Sequence, residues 1–133
     1  MKLLSATHMS GGYGGADILS GCSIEVDRGE ISVIVGPNGA GKTTTILMIV
    51  GLLQPDDGYA LADGVRSSSD ADEVKARLGL VSANDGIYPW LTVREMLLFF
   101  ADLYGVSPDA AAERLDQLVA LFDLGDYLRQ SEN

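Results

Sequence analysis

The sequence predicts an α/β fold with a mixed sheet: an antiparallel portion, a strand that feeds a glycine-rich loop and a helix, and the start of a helical subdomain. Three observations carry this expectation. Ile31-Ser32-Val33-Ile34-Val35 is short, β-branched and almost unbroken in apolarity, as a strand covered on both faces of a parallel sheet should be. Gly36-Pro37-Asn38-Gly39-Ala40-Gly41-Lys42-Thr43-Thr44 follows it directly, and the apolar run Ile46 to Leu53 comes next. Before them, Gly21 to Asp27 alternates, with Cys22, Ile24 and Val26 on one face and Ser23, Glu25 and Asp27 on the other, the pattern of a half-exposed strand.

Taken in order, residues 2–9 alternate loosely and suit a strand of an antiparallel sheet. His8 lies there without a Cys, a second His or paired carboxylates at ligand spacing, and is expected to be an ordinary strand residue. Gly11-Gly12-Tyr13-Gly14-Gly15 reads as a loop carrying one aromatic ring. That ring has two local readings, stacking on a purine base or packing over the sheet edge. Asp27-Arg28-Gly29-Glu30 is the turn into the strand at Ile31. Ile46 to Leu53 is apolar almost all round, so a helix buried on most sides is expected, ended by Gln54-Pro55-Asp56-Asp57-Gly58. Tyr59 to Ala62 is a short strand, Asp63-Gly64 a turn, and Asp70 the cap of a short helix reaching about Leu78. Leu78 to Ser82 reads as a second apolar strand of the parallel sheet.

Thr92-Val93-Arg94-Glu95 is a capping box, and Leu91 with Met96 stands at hydrophobic-staple spacing. Val93, Met96, Leu97, Phe100 and Tyr104 keep helical period up to the stop at Gly105. Ser107 and Pro108 open the next helix, with Ala111, Leu115, Leu118, Val119 and Phe122 as its apolar face. Leu118 to Asp123 superficially resembles an apolar strand ending in a metal-binding Asp, but its helical period and the Leu124 that follows reject that reading.

The totals bound the function. A chain of 133 residues with 47% apolar residues is long enough for one domain with a core and is not disordered. Its net charge of -10 and pI near 4.2 argue against nucleic acid as the main partner. Cys22 is alone, which leaves neither an internal disulfide nor a cysteine-rich zinc site. No apolar run is long enough to span a bilayer and no secretion signal is visible, so a cytoplasmic protein is expected.

Gly36 to Thr44 fits the phosphate-binding pattern G-x-x-x-x-G-K-[ST], with Gly36, Gly41, Lys42 and Thr43 in the fixed places. A loop that wraps a polyphosphate turns its backbone N–H groups inward, and glycines permit the close approach and backbone angles this requires. The helix that begins there adds unpaired amides and the positive end of its dipole. Lys42 is expected to reach the β- and γ-phosphates, Thr43 to ligate Mg²⁺ through its hydroxyl, and Thr44 to donate a further hydrogen bond. Pro37, Asn38, Gly39 and Ala40 complete the nucleotide-binding stretch.

With this loop, the Gly29-Glu30 turn, Gly51-Leu52-Leu53-Gln54-Pro55 and Leu91-Thr92-Val93-Arg94-Glu95 all in order, the chain resembles the nucleotide-binding domain of an ABC transporter. The resemblance implies that residues 1–133 are the N-terminal part of such a domain, an incomplete P-loop NTPase fold of the ABC ATPase type containing the P-loop and Q-loop region. Leu78 to Ser82, Gly86-Ile87-Tyr88 and Phe99 to Gly105 are most similar to ATPases of sodium or drug efflux exporters. The family carries an aromatic residue at this distance before its P-loop, so the resemblance implies that Tyr13 stacks on adenine. It also implies ATP and Mg²⁺ as ligands, a transmembrane permease as partner, head-to-tail pairing with a second nucleotide-binding domain, and a peripheral place on the inner face of the cell membrane. Tyr88 and Trp90 have two readings, a docking groove for the permease's cytoplasmic loop or simple loop packing.

Two departures qualify the match. Where the family places a Gln after the Leu78 to Ser82 strand, this chain has Ala83 and then Asn84, whose amide on a shorter stem is the weaker candidate for metal sensing. The signature motif, the Walker B Asp with its catalytic Glu and the switch His are expected beyond the last helix, and the sequence stops at Asn133. The expected activity is therefore ATP binding that energises export in a complete protein, without turnover by this chain alone. The alternatives are a truncated or nonhydrolysing nucleotide-binding fragment, or a non-transport ATPase of the ABC class.

Overall fold

The computed structural model describes residues 2–82 and 88–131 and divides into two compact units, Met1–Leu80 and Val81–Asn133. In the first, β1 (Lys2–Tyr13) and β2 (Ala16–Asp27) form a long hairpin, and β3 (Asp57–Ala62) with β4 (Val65–Arg66) complete a four-stranded antiparallel sheet in the order β2-β1-β3-β4. Helix α1 (Lys42–Ile49) packs on it and α2 (Ala71–Arg77) follows β4. Met9, Leu19, Met48, Ile49 and Ala60 meet in the core between sheet and α1, with Met9 and Met48 fully buried.

The antiparallel portion, the Asp27–Glu30 turn, the Asp63-Gly64 turn and α2 stand where the sequence places them. Asp70 does precede α2, though its side chain makes no capping bond. At the first hairpin the expectation is corrected: Gly11, Gly12 and Tyr13 belong to β1, and only Gly14-Gly15 turn. Those two glycines hold φ of 63° and 81°, which closes a two-residue hairpin and lets the ladder run up to the Tyr13–Ala16 pair. Helix α1 stops earlier than expected. Gly51, with φ 77°, follows Val50 and breaks the helix before Pro55, while Ile46 and Leu52 remain exposed.

The larger correction concerns the parallel sheet. Neither Ile31–Val35 nor Leu78–Ser82 joins a ladder, and Ile31, Val33 and Val35 are 91%, 78% and 87% exposed. A parallel strand is held by neighbours on its flanks, and among the described residues every strand pair is antiparallel. Both segments have the composition of buried strands, yet among the described residues neither is paired in a sheet.

In the second unit, α3 (Val93–Leu103) and α4 (Pro108–Phe122) are joined through Gly105, and Gln130 and Leu128 carbonyls accept from the Val93 and Arg94 amides. Ser107 caps α4 by accepting from the Ala110 amide at 3.4 Å, and Asp123 closes it in the left-handed conformation, so Leu118–Phe122 is helix as expected. The α3 capping box is complete: Thr92 Oγ1 accepts from the Glu95 amide at 3.2 Å, and Glu95 Oε2 accepts from the Thr92 amide at 2.8 Å. Thr92→Ala is expected to lower the stability of the helical unit by about 1 kcal/mol in urea unfolding. Hydrogen bonds from the Thr92 amide and then its hydroxyl hold the Glu95 carboxyl below its usual range. The folded state thus binds the Glu95 proton less readily than the unfolded chain, so the box contributes fully above the unfolded pKa and its contribution is lost as pH falls through the folded one. Unfolding followed over an acid pH series is expected to show that loss in the native chain and not in Glu95→Ala.

Candidate functional site

Residues 36–44 leave the exposed segment 31–35, turn, and enter α1 at Lys42. The Ala40 amide donates to the Pro37 carbonyl at 3.1 Å, and the first helical bond runs from the Thr45 amide to the Gly41 carbonyl at 2.9 Å. Thr45 Oγ1 donates to the same carbonyl at 2.7 Å, which fixes the helix entry from inside the core. Gly39 and Gly41 hold φ of 86° and 92°, the left-handed region that glycine adopts without a steric penalty. Gly41 is also buried against β2, where an added Cβ would lie 2.6 Å from Leu19 Cδ2.

The resulting concavity has a volume of about 240 Å³, and its walls include Asn38, Gly39, Gly41, Lys42, Thr43 and Thr44. Thr43 is exposed at the helix start and Thr44 is buried. Lys42 Nζ donates to the Gly36 carbonyl and, at 3.0 Å, to the Pro37 carbonyl, so the ammonium lies over the loop's own backbone. An ammonium, a hydroxyl and the amides of a helix N-terminus are hard donors of the kind a polyphosphate with its magnesium ion requires. The residues present fit MgATP in donor type.

Gly36 to Thr44 are thus brought together as the sequence requires, and Tyr13 is placed at the tip of the β1–β2 hairpin, half exposed and outside the residues that line this concavity. Ile18, from the same hairpin, does line it, and sequence reasoning missed it. The signal was present but disguised. Gly21, with φ 65°, interrupts the alternation of β2, so that Leu19 points into the core and Ile18 does not share the face of Cys22, Ile24 and Val26. Ala83 and Asn84 lie outside the described residues.

In the second unit Tyr88, Trp90, Phe99 and Phe100 form a run of ring contacts. Tyr88 lies 5.4 Å from Trp90 and 6.0 Å, edge to face, from Phe99, which is 5.7 Å from Phe100. All four are exposed, Trp90 to 75%. Among the described residues no helix is long and apolar enough to cross a membrane.

A family model described as ABC transporter matches residues 19–132. Among individual proteins, the ABC transporter ATP-binding protein NatA of Bacillus subtilis (strain 168) is 36% identical over 109 residues, covering 81% of this chain and 44% of its own length. The linearmycin resistance ATP-binding protein LnrL of the same organism is 34% identical over 117 residues, covering 88% of this chain and 38% of its own. The Nod factor export ATP-binding protein I of Burkholderia orbicola (strain AU 1054) is 42% identical over 99 residues, covering 74% and 33%. A solved ATP binding subunit of an ABC transporter superposes with a TM-score of 0.85 at 33% identity, over 97% of this chain and 54% of that one. The chain spans less than half the length of these three sequence relatives.

Proposed function

The chain belongs to the ABC transporter family of ATP-binding domains, and from that premise we propose that it binds MgATP through Gly36 to Thr44 as part of an export system. The observation that carries this reading is the conjunction at the start of α1: two glycines in left-handed geometry, a lysine ammonium and an exposed threonine hydroxyl around one concavity. Lys42 exchanges its bonds to the Gly36 and Pro37 carbonyls for phosphate oxygens, so its charge is delivered without a large movement of the helix. Thr43 would hold a magnesium ion through its hydroxyl, and the ion would supply positive charge to the phosphates. Thr44 and the amides of Gly39, Gly41 and Lys42 supply the remaining donors, and Tyr13, at the tip of a glycine-closed hairpin, stacks on the base.

Relatives named for resistance and export support the exporter assignment, and their names attach to those proteins. The exposed Tyr88, Trp90, Phe99 and Phe100 are the surface we assign to a permease's cytoplasmic loop, since aromatic rings are enriched where proteins bind one another. That contact would place the chain on the cytoplasmic face of the membrane, paired head to tail with a second nucleotide-binding domain.

Phosphoryl transfer to water requires a group that orients the water as well as charges that stabilise the phosphoryl group. Lys42, Thr43 and the loop amides serve the second need, and no carboxylate is among the described residues that line the concavity. The isolated chain is therefore expected to bind MgATP without multiple turnovers. A sensitive phosphate-release assay compared with Lys42→Ala checks this, and release well beyond one phosphate per chain in the native protein alone would refute it.

A further inference from the structure

In the first unit a hollow of about 680 Å³ lies where β1, the chain entering β3, and β4 meet, and among the described residues it shares none with the phosphate concavity. An irregularity of β1 helps to form it. Pairing with β2 skips from Ala6 to Met9 and pairing with β3 from Thr7 to Ser10, and within this bulge His8 takes φ 47°, which residues other than glycine seldom adopt. The His8 amide donates to Ser23 Oγ at 2.9 Å, which fastens the bulge to β2. Gly58 brings β3 close against it, since an added Cβ would lie 2.4 Å from the Thr7 and His8 carbonyl oxygens.

The charged groups around this hollow are unmatched within the chain. Arg66 is held in place from two sides: its guanidinium carbon lies 4.8 Å from the centre of the Tyr59 ring, and its Nε donates to Ser68 Oγ at 3.0 Å. Its two terminal nitrogens have no hydrogen-bond or ion-pair partner among the described residues. Asp57 Oδ1 accepts from the Gly58 amide at 2.9 Å, and neither Asp56 nor Asp57 pairs with a cation among the described residues. A fixed guanidinium and two carboxylates thus line one hollow without pairing with each other.

We propose that this hollow binds a free basic α-amino acid, its carboxylate on Arg66 and its two cationic nitrogens on Asp56 and Asp57. With His8 neutral, one guanidinium and two carboxylates leave the hollow with a single net negative charge, and a basic amino acid carries the same set with the signs exchanged. Arg66 is already oriented by the ring and by Ser68, so its parallel N–H donors meet a carboxylate with little further loss of freedom. Other small ions match only half of the site. A phosphate would satisfy Arg66 but face two carboxylates, and a diamine would satisfy the carboxylates but leave the guanidinium without an acceptor. The volume lies within the range of small-molecule sites, about 300 to 1,000 Å³. Because His8, Asp56, Asp57 and Arg66 are all exposed, water weakens each pairing and the affinity is modest, with a Kd of about 1 mM or somewhat below. Nothing in this assignment depends on a nucleotide at Gly36 to Thr44.

The test titrates the full chain, without nucleotide, with three probes: L-lysine, cadaverine, which is lysine without its carboxylate, and L-norleucine, which is lysine without its side-chain ammonium. Amide NMR shifts report where each binds and calorimetry reports how tightly. Cadaverine carries more positive charge than lysine, so bare attraction to a chain of charge -10 would rank it first. The proposal reverses that order. Lysine is expected to saturate with a Kd at or below about 1 mM, at least about tenfold tighter than cadaverine or norleucine, with shifts centred on residues 7–8, 56–59 and 66–68. Arg66→Gln is expected to weaken lysine about tenfold and leave cadaverine no weaker. Asp57→Asn keeps an oxygen for the Gly58 amide and is expected to weaken lysine and cadaverine alike, by about threefold. Both positions are exposed, and thermal unfolding of the two variants is expected to match the native chain. Cadaverine binding as tightly as lysine, no saturation by lysine below about 10 mM, shifts centred elsewhere, or an Arg66→Gln variant with native lysine affinity would each overturn the proposal.

Discussion

Replacing Lys42 with alanine is expected to weaken ATP binding by about a hundredfold, the equivalent of about 3 kcal/mol. Hydrogen bonds to a charged group are worth about 1.5 to 3 kcal/mol each, and the ammonium has to give up two carbonyl partners before it meets phosphate oxygens. The net loss is therefore smaller than two such bonds added together. Stability should change by less than about 1 kcal/mol, because Lys42 is only half-buried and its partners face solvent. Calorimetric titration of both proteins with MgATP, paired with urea unfolding, separates the two effects. Equal affinities would exclude the ammonium from the phosphate site.

Gly41→Ala is expected to cost about 3 kcal/mol of stability and with it most nucleotide binding. About 1 to 2 kcal/mol comes from holding a side chain at φ 92°, and a further 1 to 3 from overpacking. The added methyl would sit 2.6 Å from Leu19 Cδ2, and Leu19 is itself locked in the core beside Met9 and Met48, so it has nowhere to swing. Gly39→Ala is the matched control. It has nearly the same backbone angle, φ 86°, but no atom within 4 Å of the added methyl, so only the strain of about 1 kcal/mol remains. Urea unfolding of the two variants should therefore differ by about 2 kcal/mol. If they unfold alike, the packing of the loop onto β2 is not what positions the start of α1.

The glycine-rich turn into α1 was legible in the sequence because its requirements are local. Glycines at fixed offsets, a lysine and a threonine at a helix start need no distant partner to be recognised, and Gly39 and Gly41 do adopt the backbone that the pattern demands. The capping box at Thr92 and the Ser107-Pro108 helix start were legible for the same reason. What misled was composition read without its neighbours. Ile31–Val35 has the residues of a buried parallel strand, but pairing depends on flanking chain, and the segment is exposed. Gly11 to Tyr13 was read as loop because of its glycines, whereas the pairing across to Leu19, Asp17 and Ala16 holds it in the sheet and leaves the turn to Gly14 and Gly15. Ile18 escaped notice because one bulge at Gly21 changed which face it occupies.

The account turns on a grip by Gly36 to Thr44 on the terminal phosphates rather than on the nucleoside. Titration of the chain with ATP, ADP and AMP in excess Mg²⁺ tests this directly. The account predicts ATP and ADP binding at least about tenfold tighter than AMP, since AMP lacks the phosphates that Lys42 and Thr43 address. Equal binding of all three, or no binding of any, would contradict it.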